Sequence, residues 1–199
     1  MTAPRSVTLE RRDVVKRLLE HRGNTLVVSG LGSPTFDVYA AGDSPLNFYM
    51  WGAMGGTAML GLGLALAQPA RRVLVITGDG DMLMGMGSLA TIGAHRPRNL
   101  AIVVLDNESY GETGMQASHT ARGVDLAAVA RASTFEMAEI IYTRAELDAW
   151  VGRVANAAAP VLAVVKVTTT RPPLRFPLRD GAHIKNRFRE ALLGARAFA

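Results

Sequence analysis

Asp79 and Asn107 stand 28 residues apart, and each closely follows an apolar run. Val73-Leu74-Val75-Ile76 precedes Gly78-Asp79-Gly80, and Ala101 to Leu105 precedes Asp106-Asn107-Glu108-Ser109-Tyr110. Short runs rich in Val and Ile predict strands. In a parallel sheet the carboxyl ends of strands share one edge, where ligands collect. Two oxygen-bearing side chains on that edge suit a hard cation such as Mg2+, which favours oxygen ligands and keeps substrate phosphates in its shell. Gly78 and Gly80 let the backbone approach a ligand with no Cβ in the way. The pattern after Gly80 predicts a helix from about Met82 to Ile92, whose first turn offers free N–H groups to an anion. These features describe a magnesium diphosphate site; without a ligand the same Asp and Asn are strand-end turn residues.

The arrangement resembles the diphosphate-binding domain of thiamine diphosphate (ThDP) enzymes. The resemblance rests on GDG at 78–80 followed, after the next strand, by Asn-Glu-Ser-Tyr-Gly at 107–111. It implies that Asp79, Asn107 and the carbonyl of Ser109 hold Mg2+. It also implies cofactor contacts from Gly78, Asp79, Gly80, Asp81, Asn107, Ser109, Tyr110 and Gly111. Glu108 departs from the pattern, because many relatives carry glycine there, so the turn must tolerate a side chain. Upstream, Trp51-Gly52-Ala53-Met54-Gly55-Gly56 is similar to the segment that holds the aminopyrimidine in decarboxylases and acetolactate-synthase-like enzymes. That similarity makes Gly52, Ala53 and Met54 cofactor-binding residues. The Gly52 carbonyl accepts from the 4′-amino group, and the Met54 N–H reaches a ring nitrogen. The Met54 side chain props the cofactor into a bent shape that brings the amino group over thiazolium C2, which is catalysis by proximity. A large flexible thioether suits such a wedge. The alternative is that Met54 is a core methionine at a helix start.

The connection from 107 to 123 is polar, and Gly111, Gly114 and Gly123 would let it fold over a bound cofactor. A connection of that length in a compact domain is often functional. Together with the preceding MGSLATIGAHRPRNL, it resembles the matching stretch of sulfopyruvate and phosphonopyruvate decarboxylases. Glu112 is a candidate proton shuttle, while His119, Gln116 and Arg122 are candidates to meet an acidic substrate. Each could equally make only local hydrogen bonds. His21, His95 and His183 have no site context and read as surface residues.

These residues need a frame. Strands are predicted over 25–29, 47–50, 72–77, 100–105, 136–141 and 161–167. Helices are predicted over 9–21, 35–41, 54–67, 82–93, 126–132 and 143–158, with a basic helix over 184–198. Thr143-Arg144-Ala145-Glu146 is a capping box at the start of one of them. The alternation predicts an α/β fold, a parallel sheet flanked by helices on both faces. We divide the chain into an N-terminal helix (1–24), a diphosphate-binding domain (25–170) and a basic tail with a helix (171–199). The apolar 52–67 stretch is too short and too glycine-rich for a membrane span, and a buried helix packed tightly on the sheet is expected.

A net charge of +5 is concentrated in residues 171–199, while the first 170 residues balance, 15 basic against 15 acidic. The body therefore carries no nucleic-acid footprint. The basic tail is expected to dock on an acidic partner or simply to be solvated. The absence of cysteine excludes disulfides and iron–sulfur clusters. With no apolar signal segment, a cytoplasmic protein without membrane attachment is expected.

ThDP enzymes of this kind pair the diphosphate domain with a second domain, which binds the pyrimidine and supplies an activating glutamate. The resemblance covers only the diphosphate half, about residues 25–170. It implies a pyrimidine-binding (alpha) partner subunit, a heterotetramer or larger assembly, and activity only with that partner. The implied activity is a ThDP- and Mg2+-dependent decarboxylation of a small 2-oxoacid, a carbon–carbon lyase reaction. One alternative is half of a carboligase of the acetolactate-synthase type. Another is a non-catalytic ThDP- or nucleotide-binding module, although a G-x-G-x-x-G turn is missing.

Overall fold

The structure is a computed structural model in which residues 5–154 and 157–198 are described. The strands are β1 (Leu26–Ser29), β2 (Asn47–Tyr49), β3 (Val73–Gly78), β4 (Leu100–Asp106), β5 (Ser109–Tyr110), β6 (Gln116–Ala117), β7 (Met137–Ile141) and β8 (Val161–Lys166). The helices are α1 (Arg11–Leu19), α2 (Ser33–Ala40), α3 (Thr57–Ala67), α4 (Asp79–Met84), α5 (Ser88–His95), α6 (Leu126–Ala132), α7 (Arg144–Val154) and α8 (Gly181–Leu193). Six strands form one all-parallel sheet in the order β2-β1-β3-β4-β8-β7. This is the expected α/β architecture.

Alternating strand residues feed two cores, because successive side chains point to opposite faces. Val73, Val75, Ile102 and Val104 pack with α3, α5 and α6 on one face. Leu74, Ile76, Val103 and Leu105 pack with Val14, Val15 and Leu19 of α1, Val38 of α2, and Leu147 and Trp150 of α7 on the other. The strand order turns back between β1 and β3, so their carboxyl ends part and leave a cleft.

Several boundaries differ from expectation for local reasons. The helix expected from Met54 begins at Thr57, because Ala53 (φ 59°) and Gly55 (φ 84°) are left-handed. The helix expected over 82–93 is two helices. It starts earlier, at Asp79, and breaks at Gly85. A Cβ on Gly85 would collide with the backbone of Gly55, so only glycine lets the two segments touch there. The stretch expected to be one loop contains the β5–β6 hairpin and a 3-10 turn over Thr120–Arg122. The helix expected to reach Ala158 is seen to Val154; 155 and 156 lie outside the described residues, as do the first four residues.

α3 is buried on one side only. Gly61 packs so closely on Val75 that a Cβ would clash, but Met59, Leu60 and Leu66 are exposed on the outer side. The tail does not stand away from the body. Phe188 packs edge-on against Phe48, with centroids 5.6 Å apart, and Arg187 pairs with Asp43 at 2.7 Å. Arg179 lies over the rings of Trp51 and Phe176. Part of the tail's positive charge thus meets acidic and aromatic groups of this same chain. Among the described residues, no helix is long and apolar enough to cross a membrane.

Candidate active site

The β3–β4 register sets Gly78 beside Leu105. Asp79 therefore emerges next to Asp106, with Asn107 one residue further out. Asp79 opens α4 directly after Gly78, the last residue of β3, so no loop separates strand from helix at the GDG run. The cleft is lined by Gly78, Asp79, Gly80, Asp81, Asn107, Ser109, Tyr110, Gly111, Met54 and Glu112. Of the expected site residues, Gly52, Ala53 and His119 are outside that lining. Gly52 and Ala53 are exposed on the turn leading to Met54. His119 is exposed and reaches the cleft only through Tyr110, whose hydroxyl lies 2.8 Å from Nδ1. Tyr110 in turn packs on Gly80, where a Cβ would come within 2.9 Å of its ring. Gln116 is tied to Thr113 by two hydrogen bonds of 3.0 Å, and Arg122 is exposed. His21, His95 and His183 are exposed, as expected of surface residues.

Asp79 is 3% exposed. Burial first, and the negative charge of Asp106 second among the raising causes, push its carboxyl up to about 6, against hydrogen bonding from Ser118. The Thr120 hydroxyl reaches its Oδ2 at 3.4 Å. Among the described residues no Lys, Arg or His pairs with it, and no cluster of three His, Cys or acidic residues forms a metal cage. A buried carboxylate with no cationic partner is costly, and a bound cation would relieve that cost. One carboxylate, one amide oxygen and a carbonyl leave coordination sites open, which suits Mg2+ shared with phosphate oxygens and water. Asn107 is already shaped for this: its Oδ1 accepts from Ser109 N–H at 3.1 Å, fixing the turn.

Glu108 sits at φ 60°, the left-handed region that makes glycine common there. Its carboxylate compensates by taking Lys166 Nζ at 2.6 Å. Lys166, nearly buried, also holds Asp106 Oδ2 at 2.8 Å, and Asp106 Oδ1 accepts from Thr120 at 2.8 Å and from Glu108 N–H at 3.0 Å. This network locks the turn that presents Asn107. The sequence did contain its signal, a lysine ending the apolar strand β8, which the register sets opposite Asp106.

Asp81 lines the cleft, but protein donors take both of its oxygens, so its place is to hold the chain around Met54. Met54 itself is 41% exposed. It is not a core methionine, and its methyl stands near Gly80. Arg11, from α1, also lines the cleft and was not anticipated. No motif marks it, because only the packing of α1 on α2 brings it there.

The model of the "thiamine pyrophosphate enzyme, C-terminal TPP binding domain" matches residues 31–166. Sulfopyruvate decarboxylase subunit beta of Methanothermobacter thermautotrophicus is 45% identical over 129 residues, 65% of this chain and 69% of that one. The protein of the same name from Methanocaldococcus jannaschii is 42% identical over 123 residues, and the match spans 65% of its length. Phosphonopyruvate decarboxylase of Streptomyces viridochromogenes is 44% identical over 147 residues, but only 36% of it is covered. Benzoylformate decarboxylase of Polynucleobacter necessarius shares the fold, with a TM-score of 0.71 over 87% of this chain and 36% of that one at 20% identity. The GDG turn, the Asn-Glu-Ser-Tyr-Gly turn and the Met54 segment all lie inside the matched span, and the chain belongs to the thiamine pyrophosphate enzyme family through its C-terminal-type TPP-binding domain.

Proposed function

We propose that this chain is the diphosphate- and Mg2+-binding subunit of a ThDP-dependent decarboxylase. Its substrate is a small 2-oxoacid carrying a second acidic group, of the sulfopyruvate or phosphonopyruvate kind. The observation that carries this reading is the buried Asp79 just past the end of β3, with no Lys, Arg or His partner among the described residues, in one cleft with Asn107 and Met54. The substrate class follows the names of the relatives, two of which are called sulfopyruvate decarboxylase subunit beta.

Asp79, Asn107 and the Ser109 carbonyl would hold Mg2+, and the first turn of α4 would face the diphosphate. When bound, ThDP supplies the electron sink for loss of CO2 from a 2-oxoacid. Met54 would hold the cofactor ring, Tyr110 would cover Gly80, and the Asp106–Lys166–Glu108 network would keep Asn107 aimed at the metal.

The proposed site is completed by a pyrimidine-binding alpha subunit, as the name "subunit beta" suggests for the relatives. A surface for it adjoins Met54: Met84, at 65%, and Met86 are exposed where the chain after α4 meets Gly55, and Met59, Leu60 and Leu66 are exposed along α3. A concentration of bare methionine and leucine on this side of the sheet is what a partner would cover. Co-expression with a candidate alpha chain and assay of CO2 release from sulfopyruvate and phosphonopyruvate tests the reading. The expected result is turnover with the partner and none without it. Efficient turnover by the purified chain alone would remove the divided active site. Release of a condensed hydroxyketone instead of an aldehyde would favour the carboligase alternative.

A further inference from the structure

Arg11 is 7% exposed and lines the cleft, yet nothing in the site above employs it. Its Nε faces Asp37 Oδ2 at 3.3 Å, and Arg12 shares the same carboxylate through Oδ1 at 3.1 Å. One carboxylate between two guanidiniums leaves net positive charge. Among the described residues, no acceptor takes a hydrogen bond from the terminal nitrogens of Arg11. Burial lowers its pKa, and the negative charges of Asp37 and Glu112 oppose that shift. A guanidinium offers five N–H donors, and Asp37 meets only the Nε side of this one, which leaves its terminal nitrogens for a second anion.

Glu112 comes to the same place from the β5–β6 hairpin. Its carboxylate lies against Gly32, where a Cβ would collide with it. Gly32 has φ 71° and directly precedes α2, and no side chain caps that helix. The carboxylate therefore stands at an uncapped helix N-terminus within the field of Arg11. Amides, helix dipole and guanidinium together form an anion site, and here the anion is supplied by the chain itself.

The position of Arg11 relative to Met54 decides which ligand group it would meet. Met54 leads into α3, which packs on one face of the sheet, while α1 and α2 pack on the other. Asp79 and Asn107 stand on the edge between. Arg11, Met54, Asp79 and Asn107 line one cleft, so a cofactor held at Met54 and Asp79 would bring its terminal phosphate into the lining that includes Arg11.

We infer that Arg11 is a positioning residue for the terminal phosphate of ThDP, and that Glu112 occupies that phosphate's place until the cofactor displaces it. The inference rests on the ThDP reading above. Binding would exchange one anion for another at Arg11 and free the β5–β6 hairpin from Gly32.

Calorimetric titration of the full chain at fixed Mg2+ tests it, with ThDP, thiamine monophosphate and inorganic diphosphate as probes. Arg11→Gln should weaken ThDP and inorganic diphosphate about tenfold, the scale of a charge-assisted contact, and thiamine monophosphate far less. Arg11→Lys should fall between. Glu112→Gln should tighten ThDP about threefold, because the competing charge is gone. Glu112 is exposed, so this arm does not depend on the buried Arg11–Asp37 pair, and melting curves check the fold of the Arg11 variants. Unchanged ThDP affinity in Glu112→Gln, or an equal loss for monophosphate and diphosphate in Arg11→Gln, would overturn the inference while leaving ThDP binding intact. Failure of the wild-type chain to bind either diphosphate with Mg2+, both alone and with its alpha partner, would overturn the ThDP reading and this inference with it.

Discussion

The carboxylate of Asp81 accepts the Gly55 amide at 2.5 Å, and so ties the first helical turn after β3 to the segment that carries Met54. Its second oxygen accepts the hydroxyls of Thr57, at 2.5 Å, and of Thr77. In the run Gly-Asp-Gly-Asp the two acids thus divide the work. Asp79 faces the proposed metal position, and Asp81 holds the 51–56 turn in its left-handed shape.

From this we expect Asp81→Asn to loosen the Met54 turn. Each buried donor left without an acceptor costs about 1–3 kcal/mol, so a clear loss in unfolding free energy should accompany it. Proton exchange at C2 of bound ThDP, followed by NMR, should slow as much as in Met54→Ala. The double variant should be no slower than either single one. Additive slowing would separate Asp81 from Met54.

Met54→Ala should leave the fold intact. The side chain is largely outside the core, and a surface substitution changes stability by about 0.5 kcal/mol or less. Its effect should appear in C2 proton exchange and turnover, where a wedge acts, and not in the melting curve. A large drop in stability with unchanged exchange would make Met54 a packing residue after all.

Gly85→Ala should be among the most harmful single-methyl changes outside the sheet. The new Cβ meets the backbone of Gly55, which has no side chain to move aside. Overpacking of this kind costs about 1–3 kcal/mol. Chemical denaturation measures it, and a neutral result would mean that the 51–56 turn shifts freely.

Much of this was legible in advance and some was not, and the division is physical. Strands β3, β4 and β8 are apolar runs with alternating contacts to two cores, so periodicity and length marked them. Asp79 and Asn107 were found because strand ends in a parallel sheet share an edge. The break at Gly85 was hidden, because glycine inside an apolar helical pattern does not reveal which backbone will approach it. Arg11 was hidden for a similar reason, since its importance depends on α1 packing against α2 and on a charge 26 residues away at Asp37. The hydrogen bonds of Asp81 were hidden because its donors, Gly55, Thr57 and Thr77, come from three separate segments.

The capping box at Thr143 gives a pH dependence. Glu146 accepts from the Tyr142 and Thr143 amides and from Arg5 at 2.5 Å, while Thr143 Oγ1 accepts from Glu146 N–H at 3.3 Å. The Arg5 hydrogen bond first, and then the Tyr142 amide, lower its carboxyl from 4.5 to about 2. A depressed carboxyl contributes stability that is full above the ordinary value and is lost as pH falls through the folded value. The gap in melting temperature between wild type and Glu146→Gln should therefore be widest above about pH 4.5 and close towards pH 2. Solvent exposure keeps the gap small, and added salt should narrow it. A gap that grows on acidification would contradict the assignment.

The central claim is that Asp79 holds the metal that holds the cofactor. The most direct measurement is ThDP affinity of wild type and Asp79→Asn as a function of Mg2+ concentration. Asparagine keeps the shape and removes the charge, so the fold should survive and the variant should gain stability from losing a buried carboxylate. The account requires that Mg2+ strengthen ThDP binding in wild type, and that this strengthening disappear in Asp79→Asn. ThDP binding by the variant with the wild-type affinity and the wild-type dependence on Mg2+ would contradict it.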